Sequence, residues 1–165
     1  MQRRVFYSFH YKPDAPRAAQ VRNMGVVEGN RPATDNAWET VKRGGAAAIK
    51  RWIADQMRGK SCTVVLVGQE TAGRKWIKHE IIESWKKGMG VVGIHVHGLK
   101  DLNRQISAKG RNPFLDIPYG DRGQMLFSIV KCYDPAGKNS ARRYGWIREH
   151  LANIIEEAII IRHKR

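Results

Sequence analysis

The chain has 165 residues, a mass of 18.8 kDa, 42% hydrophobic residues, and 30 Lys and Arg against 15 Asp and Glu, a formal charge of +15. A chain of this size buries roughly 70% of the surface its unfolded form exposes, so it needs neither disulfides nor a structural metal, and its five Trp and apolar content exclude a disordered basic tail. The excess charge suits nucleic acid, acidic lipid or a phosphate-bearing small molecule, but it is spread evenly: residues 1–82 carry +8 and residues 83–165 carry +7. Only Arg162-His163-Lys164-Arg165 looks like a basic tail, and cations there also complement a helix C-terminus.

Cys62 and Cys132 lie 70 residues apart in apolar runs, outside any C-x-x-C spacing, so buried reduced thiols are expected. With no leader pattern at Met1-Gln2-Arg3-Arg4 and no apolar stretch near 18 residues, the expectation is a soluble, cytoplasmic protein without a membrane partner.

In chain order, Val5 to Phe9 reads as a buried strand that the polar, Pro-containing stretch 10–16 stops. Ala18 to Met24 predicts a brief helix, and Gly25 to Pro32 a long loop. Asn36 followed by Glu39 is a variant capping box that starts a helix near Ala37; Gly44-Gly45 weakens its middle, and Ile49, Trp52, Ile53 and Met57 continue it. Ser61 to Gly68 is nearly continuous in apolar residues, as in a strand covered on both faces of a parallel sheet. Arg74 to Lys87 repeats Ile77, Ile81 and Trp85 as a helix, and Val91 to His97 is the next buried strand. Residues 98–124 form a long irregular connection, Met125 to Tyr133 a last strand, and Ala141 to Arg162 a closing helix. This order predicts an α/β domain with a mainly parallel sheet, whose ligands bind beyond the carboxyl ends of the strands, at the loops from His10, Gly68 and Gly98.

Three patterns bear on chemistry. Gly88-Met89-Gly90-Val91-Val92-Gly93 matches a dinucleotide fingerprint in letters only, because the order is helix, glycines, strand, the reverse of what pyrophosphate binding needs. His95 and His97 share one face of a strand, but no third metal ligand has suitable spacing, so packed histidines are expected and no metal. Glu80 falls at the margin of the buried arc of its helix, one turn after Trp76, so indole and carboxylate can line one wall of a pocket. Taken alone, a Glu among Lys75, Lys78, Lys86 and Lys87 is more often a surface ion-pair partner than a pocket residue.

The order of Val5-Phe6-Tyr7-Ser8-Phe9-His10-Tyr11, Val21-Arg22-Asn23, Asn36-Ala37-Trp38-Glu39, Val64-Val65-Leu66-Val67-Gly68, Thr71, Trp76-Ile77-Lys78-His79-Glu80-Ile81 and Asn112-Pro113-Phe114 resembles the TIR-like family. The likeness is greatest to its bacterial branch, typified by the TIR-like sensor of Thoeris anti-phage defence, and covers most of residues 4–116. It implies a flavodoxin-like, TIR-like three-layer α/β domain spanning residues 1–165, with a central, mainly parallel sheet of four to five strands. It also implies an enzyme that breaks the nicotinamide–ribose bond of NAD, with NAD as substrate and no resident cofactor. The resemblance makes Glu80 the catalytic carboxylate and places Ser8, Phe9, His10, Thr71 and Trp76 around the substrate. The product is ADP-ribose if water attacks, or a cyclic isomer if a group of the same nucleotide attacks. In Thoeris-like relatives such a product activates a separate effector, and the family implies self-association. Ile77 stands where many TIR domains carry Cys, and the 98–124 connection is long for the family. Two other classes stay open: a catalytically silent TIR-like interaction module, and a nucleic-acid-binding domain, which the even charge distribution disfavours.

Overall fold

A computed structural model describes residues 2–29 and 40–165. Five strands form one parallel sheet: β1 (Arg4–Phe9), β2 (Glu28–Gly29), β3 (Cys62–Val67), β4 (Gly90–His95) and β7 (Cys132–Tyr133), in the order β2-β1-β3-β4-β7. The central pairing is long, with Val5 to Phe9 in register with Cys62 to Leu66, and Cys62 to Val67 with Gly90 to His95. Every residue of β3 and β4 is buried, as their unbroken apolar runs predict for strands covered on both faces.

Side-chain alternation sorts the two faces. Val5, Tyr7, Cys62, Val64, Leu66, Val92 and Ile94 pack against α1 (Tyr11–Arg22) and α4 (Ser140–His163), the latter through Ile147, Leu151, Ile154, Ile155, Ala158 and Ile159. On the other face, Val65, Val67 and Val91 meet Ile77 and Ile81 of α3 (Lys75–Lys86), while Phe6 meets Ile49, Ile53 and Met57 of α2 (Gly45–Met57). The parity that points Phe6 at α2 therefore also turns Ser8 toward the α2/α3 layer.

The close approach of α4 to β4 depends on Gly90, where an added Cβ would lie 2.8 Å from the Ile159 nitrogen and 2.9 Å from the Ala158 carbonyl carbon. Backbone cannot yield as a side-chain tip can, so Gly90→Ala is expected to lower stability by about 1–3 kcal/mol in urea unfolding. Gly88 has φ +80 and ends α3 before the strand begins, which makes the Gly88–Gly93 pattern a helix stop.

Four expectations need correction. The stretch 10–16 is not a loop, and the helix expected over 18–24 begins at Tyr11 and ends at Arg22. Pro13 falls in the first turn, where an amide has no helical partner, and Pro16 is carried inside the helix because the flanking Asp14, Arg17, Ala18 and Val21 are buried. The loop expected over 25–32 contains β2, a two-residue edge strand paired with Arg4 and Val5. The run from Met125 to Tyr133 is not one strand: β6 (Gln124–Met125) pairs with β5 (Pro118–Tyr119) in a small hairpin, a 3-10 turn covers Leu126–Ser128, and only β7 joins the sheet. Leu126 and Val130 are buried against α3 while Phe127 is half-exposed, so this apolar run follows a wrapped path over the sheet edge. The capping pair Asn36 and Glu39 and the helix start near Ala37 lie outside the described residues; residues 40–43 are helical, and Gly44 interrupts the helix before α2.

Candidate active site

In this strand order the chain leaves β1 toward β2 on one side and returns through β3 on the other, so the topological switch point lies between β1 and β3. Ligands of open α/β sheets bind at such a crevice, outside the carboxyl ends of the strands. The residues there are Ser8, Phe9 and His10 after β1, and Gly68 to Thr71 after β3.

Ser8 and Glu80, 72 residues apart in sequence, touch: the Ser8 hydroxyl donates to Glu80 Oε1 at 2.9 Å. Glu80 is 8% exposed, deeper than the margin of the buried arc, because α3 lies directly on the sheet with Ile77, Glu80, Ile81 and Ser84 all buried. Burial pushes its carboxyl up to about 8, and the Ser8 hydrogen bond opposes only part of that shift. One turn further on, the Ser84 hydroxyl donates to the Glu80 carbonyl at 2.7 Å and lies 2.6 Å from the Thr63 hydroxyl of β3. These two contacts pin the turn of α3 that carries Glu80 to the middle of the sheet.

The other expected residues are distributed around this contact. Phe9 is half-buried, with its ring 6.1 Å from that of Tyr11. His10 is the N-cap of α1; burial lowers its pKa, Arg74 lowers it further and Glu70 opposes. Its Nδ1 is buried without a hydrogen-bond partner among the described residues. Thr71 is fully buried and its hydroxyl accepts from the Gly68 amide at 2.8 Å, closing the loop after β3. Trp76 is half-buried against the Phe6, Ile49 and Ile53 cluster, edge-on to His79 at 5.5 Å, with the Lys75 ammonium 5.1 Å from its ring. It lies one turn before Glu80, as the sequence spacing requires.

Several residues of this edge carry no sequence signal. Arg74, the N-cap of α3, faces His10 electrostatically, is exposed, and has no ion-pair partner among the described residues. The first turn of α3 holds no acidic residue and no side-chain cap, so its amides and positive dipole end are open to an anion. Behind the crevice, Asp14 (1% exposed) pairs with Arg17 (3% exposed) at 3.0 Å. A Cβ on Gly68 would meet the Asp14 carboxylate at 2.0 Å, so only glycine fits where this loop crosses α1. The i, i+3 spacing of Asp14 and Arg17 becomes legible only once their segment is known to be helical.

The expected two-histidine face lies at the end of β4. His95 and His97 are buried with rings 5.7 Å apart, and burial, reinforced by Lys109, holds His95 down at about 4. Among the described residues no group of three or more His, Cys, Asp or Glu is placed to hold a metal ion. Cys62 is buried and Cys132 partly so, both free, as expected. Among the same residues no helix is long and apolar enough to cross a membrane. A groove of about 210 Å³ between α2 and α3, lined by Lys50, Ile53, Ala54, Met57, His79, Glu83 and Lys87, does not include Glu80 and is small for a dinucleotide.

Comparison with known proteins matches residues 6–101 to the family described as "Thoeris protein ThsB, TIR-like domain". That span contains Ser8, Phe9, His10, Thr71, Trp76 and Glu80. The chain is also 38% identical over 133 residues to a Bacillus cereus (strain MSX-D12) protein named "Putative cyclic ADP-D-ribose synthase ThsB1", an alignment covering 76% of this chain and 69% of the relative. The parallel five-stranded sheet, and a family match over more than half its length, establish that the chain belongs to the TIR-like domain family of the Thoeris protein ThsB.

Proposed function

We propose that the protein is an NAD-cleaving enzyme that releases nicotinamide and closes the remaining nucleotide into a cyclic ADP-ribose. The observation that carries this reading is the buried Ser8–Glu80 contact at the switch-point crevice. It is supported by the family and by the synthase name of the relative.

The chemistry follows from what such a carboxyl can do. The C–N bond between ribose and the cationic nicotinamide ring breaks heterolytically, and its electron pair neutralises the ring, so no strong acid is needed for departure. The ribose carbon is left oxocarbenium-like, and the Glu80 carboxylate stabilises it at short range in a low-dielectric site. A hydroxyl or ring nitrogen of the same nucleotide then bonds to that carbon. When the nucleophile is a hydroxyl, its proton passes to Glu80; when water intervenes, the product is ADP-ribose. Ser8 acts as a positioning residue that holds the carboxyl toward the crevice. Trp76, Phe9 and Thr71 bound the pocket, while Arg74, the open N-terminus of α3 and His10 meet the pyrophosphate. NAD is consumed in this reaction and is not a recycled cofactor. The product serves as a signal for a separate effector in anti-phage defence, as the family resemblance implies.

Nicotinamide release from NAD by the purified protein is the direct test; its absence would contradict the reading. Arg74→Glu is expected to raise KM about tenfold with a smaller change in kcat, since it reverses charge at a binding position and leaves Glu80 in place. An unchanged KM would remove Arg74 from the pyrophosphate site.

A further inference from the structure

The segment from Leu99 to Ile106 displays two aliphatic side chains to solvent, Leu102 at 87% and Ile106 at 61% exposure. It is nevertheless firmly built. The buried Arg17 guanidinium donates to the Leu99 carbonyl at 2.8 Å and to the Gln105 carbonyl at 3.0 Å, and the Gln20 amide donates to the Lys100 carbonyl at 2.7 Å. Inside the loop, Asp101 Oδ1 accepts from the Asn103 and Gln105 amides, and Arg104 adopts φ 59 to close the turn. A buried guanidinium is an expensive anchor for a loop that only connects two elements, and exposed aliphatics on an ordered loop mark an interaction surface.

The residue types alternate. Asp101, Asn103 and Gln105 make the loop's internal hydrogen bonds, whereas Lys100, Leu102, Arg104 and Ile106 carry cation, aliphatic, cation, aliphatic. All four of these are exposed, and neither Lys100 nor Arg104 has an ion-pair partner among the described residues. We infer that this loop is a docking surface for an acidic protein whose face carries an apolar pocket. Charge complementarity selects that occupant: Lys100 and Arg104, without ion-pair partners among the described residues, bracket Leu102, and Ile106 follows Arg104, on a chain whose net charge is +15. The loop shares no residue with the Ser8–Glu80 contact, so this proposal stands or falls apart from NAD cleavage.

The test uses the full chain and a fluorescently labelled helical peptide that presents a Leu stripe between two rows of Glu, with binding read by anisotropy. The wild-type protein is expected to bind it, more weakly as salt rises. Leu102→Asp with Ile106→Asp should weaken binding at least about tenfold, and Lys100→Glu with Arg104→Glu should weaken it and make it less salt-dependent. Both double variants should keep the wild-type circular dichroism and NAD turnover, which separates lost docking from lost folding. Failure of the wild type to bind, or binding indifferent to the Leu102 and Ile106 changes, would overturn the proposal. So would equal binding to poly-glutamate, which has no apolar group. Tighter, Leu102-dependent binding to phosphatidylglycerol vesicles would assign the surface to a membrane, and Leu102-dependent dimers in sedimentation would assign it to a second copy; either outcome overturns it as well.

Discussion

Glu80→Gln is expected to abolish turnover and at the same time make the protein more stable. Gln keeps an oxygen for the Ser8 hydroxyl, so the local packing survives, but it cannot carry the negative charge that an oxocarbenium-like ribose requires. The rate should fall at least about a hundredfold. The stability gain has its own cause. A carboxyl held at about 8 in the folded state and at an ordinary 4.5 when unfolded binds an extra proton in the folded state between those values. Wild-type stability therefore declines as pH rises through that window, by about 1.4 kcal/mol per unit. At pH 7 the variant should gain ~3 kcal/mol, or roughly 6–12 °C in melting temperature for a chain of this size. Below pH 4.5, where Glu80 is protonated in both states, the two proteins should melt alike. Thermal melts at several pH values check the sign: a variant less stable than wild type at pH 7 would mean that Glu80 is not desolvated.

The same carboxyl is expected to set the pH dependence of the proposed reaction. With its carboxyl held at about 8, Glu80 in the free protein is mostly protonated at pH 7, whereas the proposed reaction uses its carboxylate. Log kcat/KM should rise with pH and level off above about 8. The cationic nicotinamide ring favours the ionised form, so NAD binding near neutral pH should release a proton from Glu80.

Arg17→Met is the second substitution with a large expected effect, this time on stability. It leaves the Asp14 carboxylate buried and uncompensated and strips the Leu99 and Gln105 carbonyls of their shared donor. Breaking one partner out of a buried pair costs about 3–5 kcal/mol, which urea unfolding would show as a lower midpoint. Adding Asp14→Asn should restore part of the loss, because the stranded charge is then gone. Lowering the pH should do likewise: burial already holds Asp14 above its ordinary pKa with Arg17 present, and loss of the cation raises it further. A double variant no more stable than Arg17→Met would show that the carbonyl contacts, and not the charge, dominate.

These effects also mark where the sequence is readable. β3, β4, α3 and α4 follow from hydrophobic pattern, because a strand covered on both faces and a helix with one buried stripe each leave a periodic trace. α1 leaves a trace only in its second half, from Ala18: Pro13 and Pro16 disguise its start, and part of its burial is an ion pair that a hydrophobicity pattern reads as surface. Two-residue strands such as β2 and β7 are set by the edge they pair with and have no pattern of their own. At the site, the i, i+4 relation of Trp76 and Glu80 is local and legible, whereas the depth of Glu80 depends on how α3 packs across Ser8 and Thr63. The Ser8–Glu80 contact could be anticipated only through family resemblance, since nothing local joins residues so far apart in the chain. Arg74 was hidden for a different reason: an exposed arginine among many is ordinary, and only its place at the open end of α3, beside His10, singles it out.

We propose that Glu80 carries NAD cleavage and that the nucleotide closes on itself. Incubating wild-type protein and Glu80→Gln with NAD in water enriched in heavy oxygen, and resolving the products by mass, tests both halves together. The wild type is expected to give nicotinamide and an unlabelled product one water lighter than ADP-ribose, and the variant neither. Labelled ADP-ribose as the sole product would contradict cyclisation, and wild-type turnover by Glu80→Gln would contradict the site.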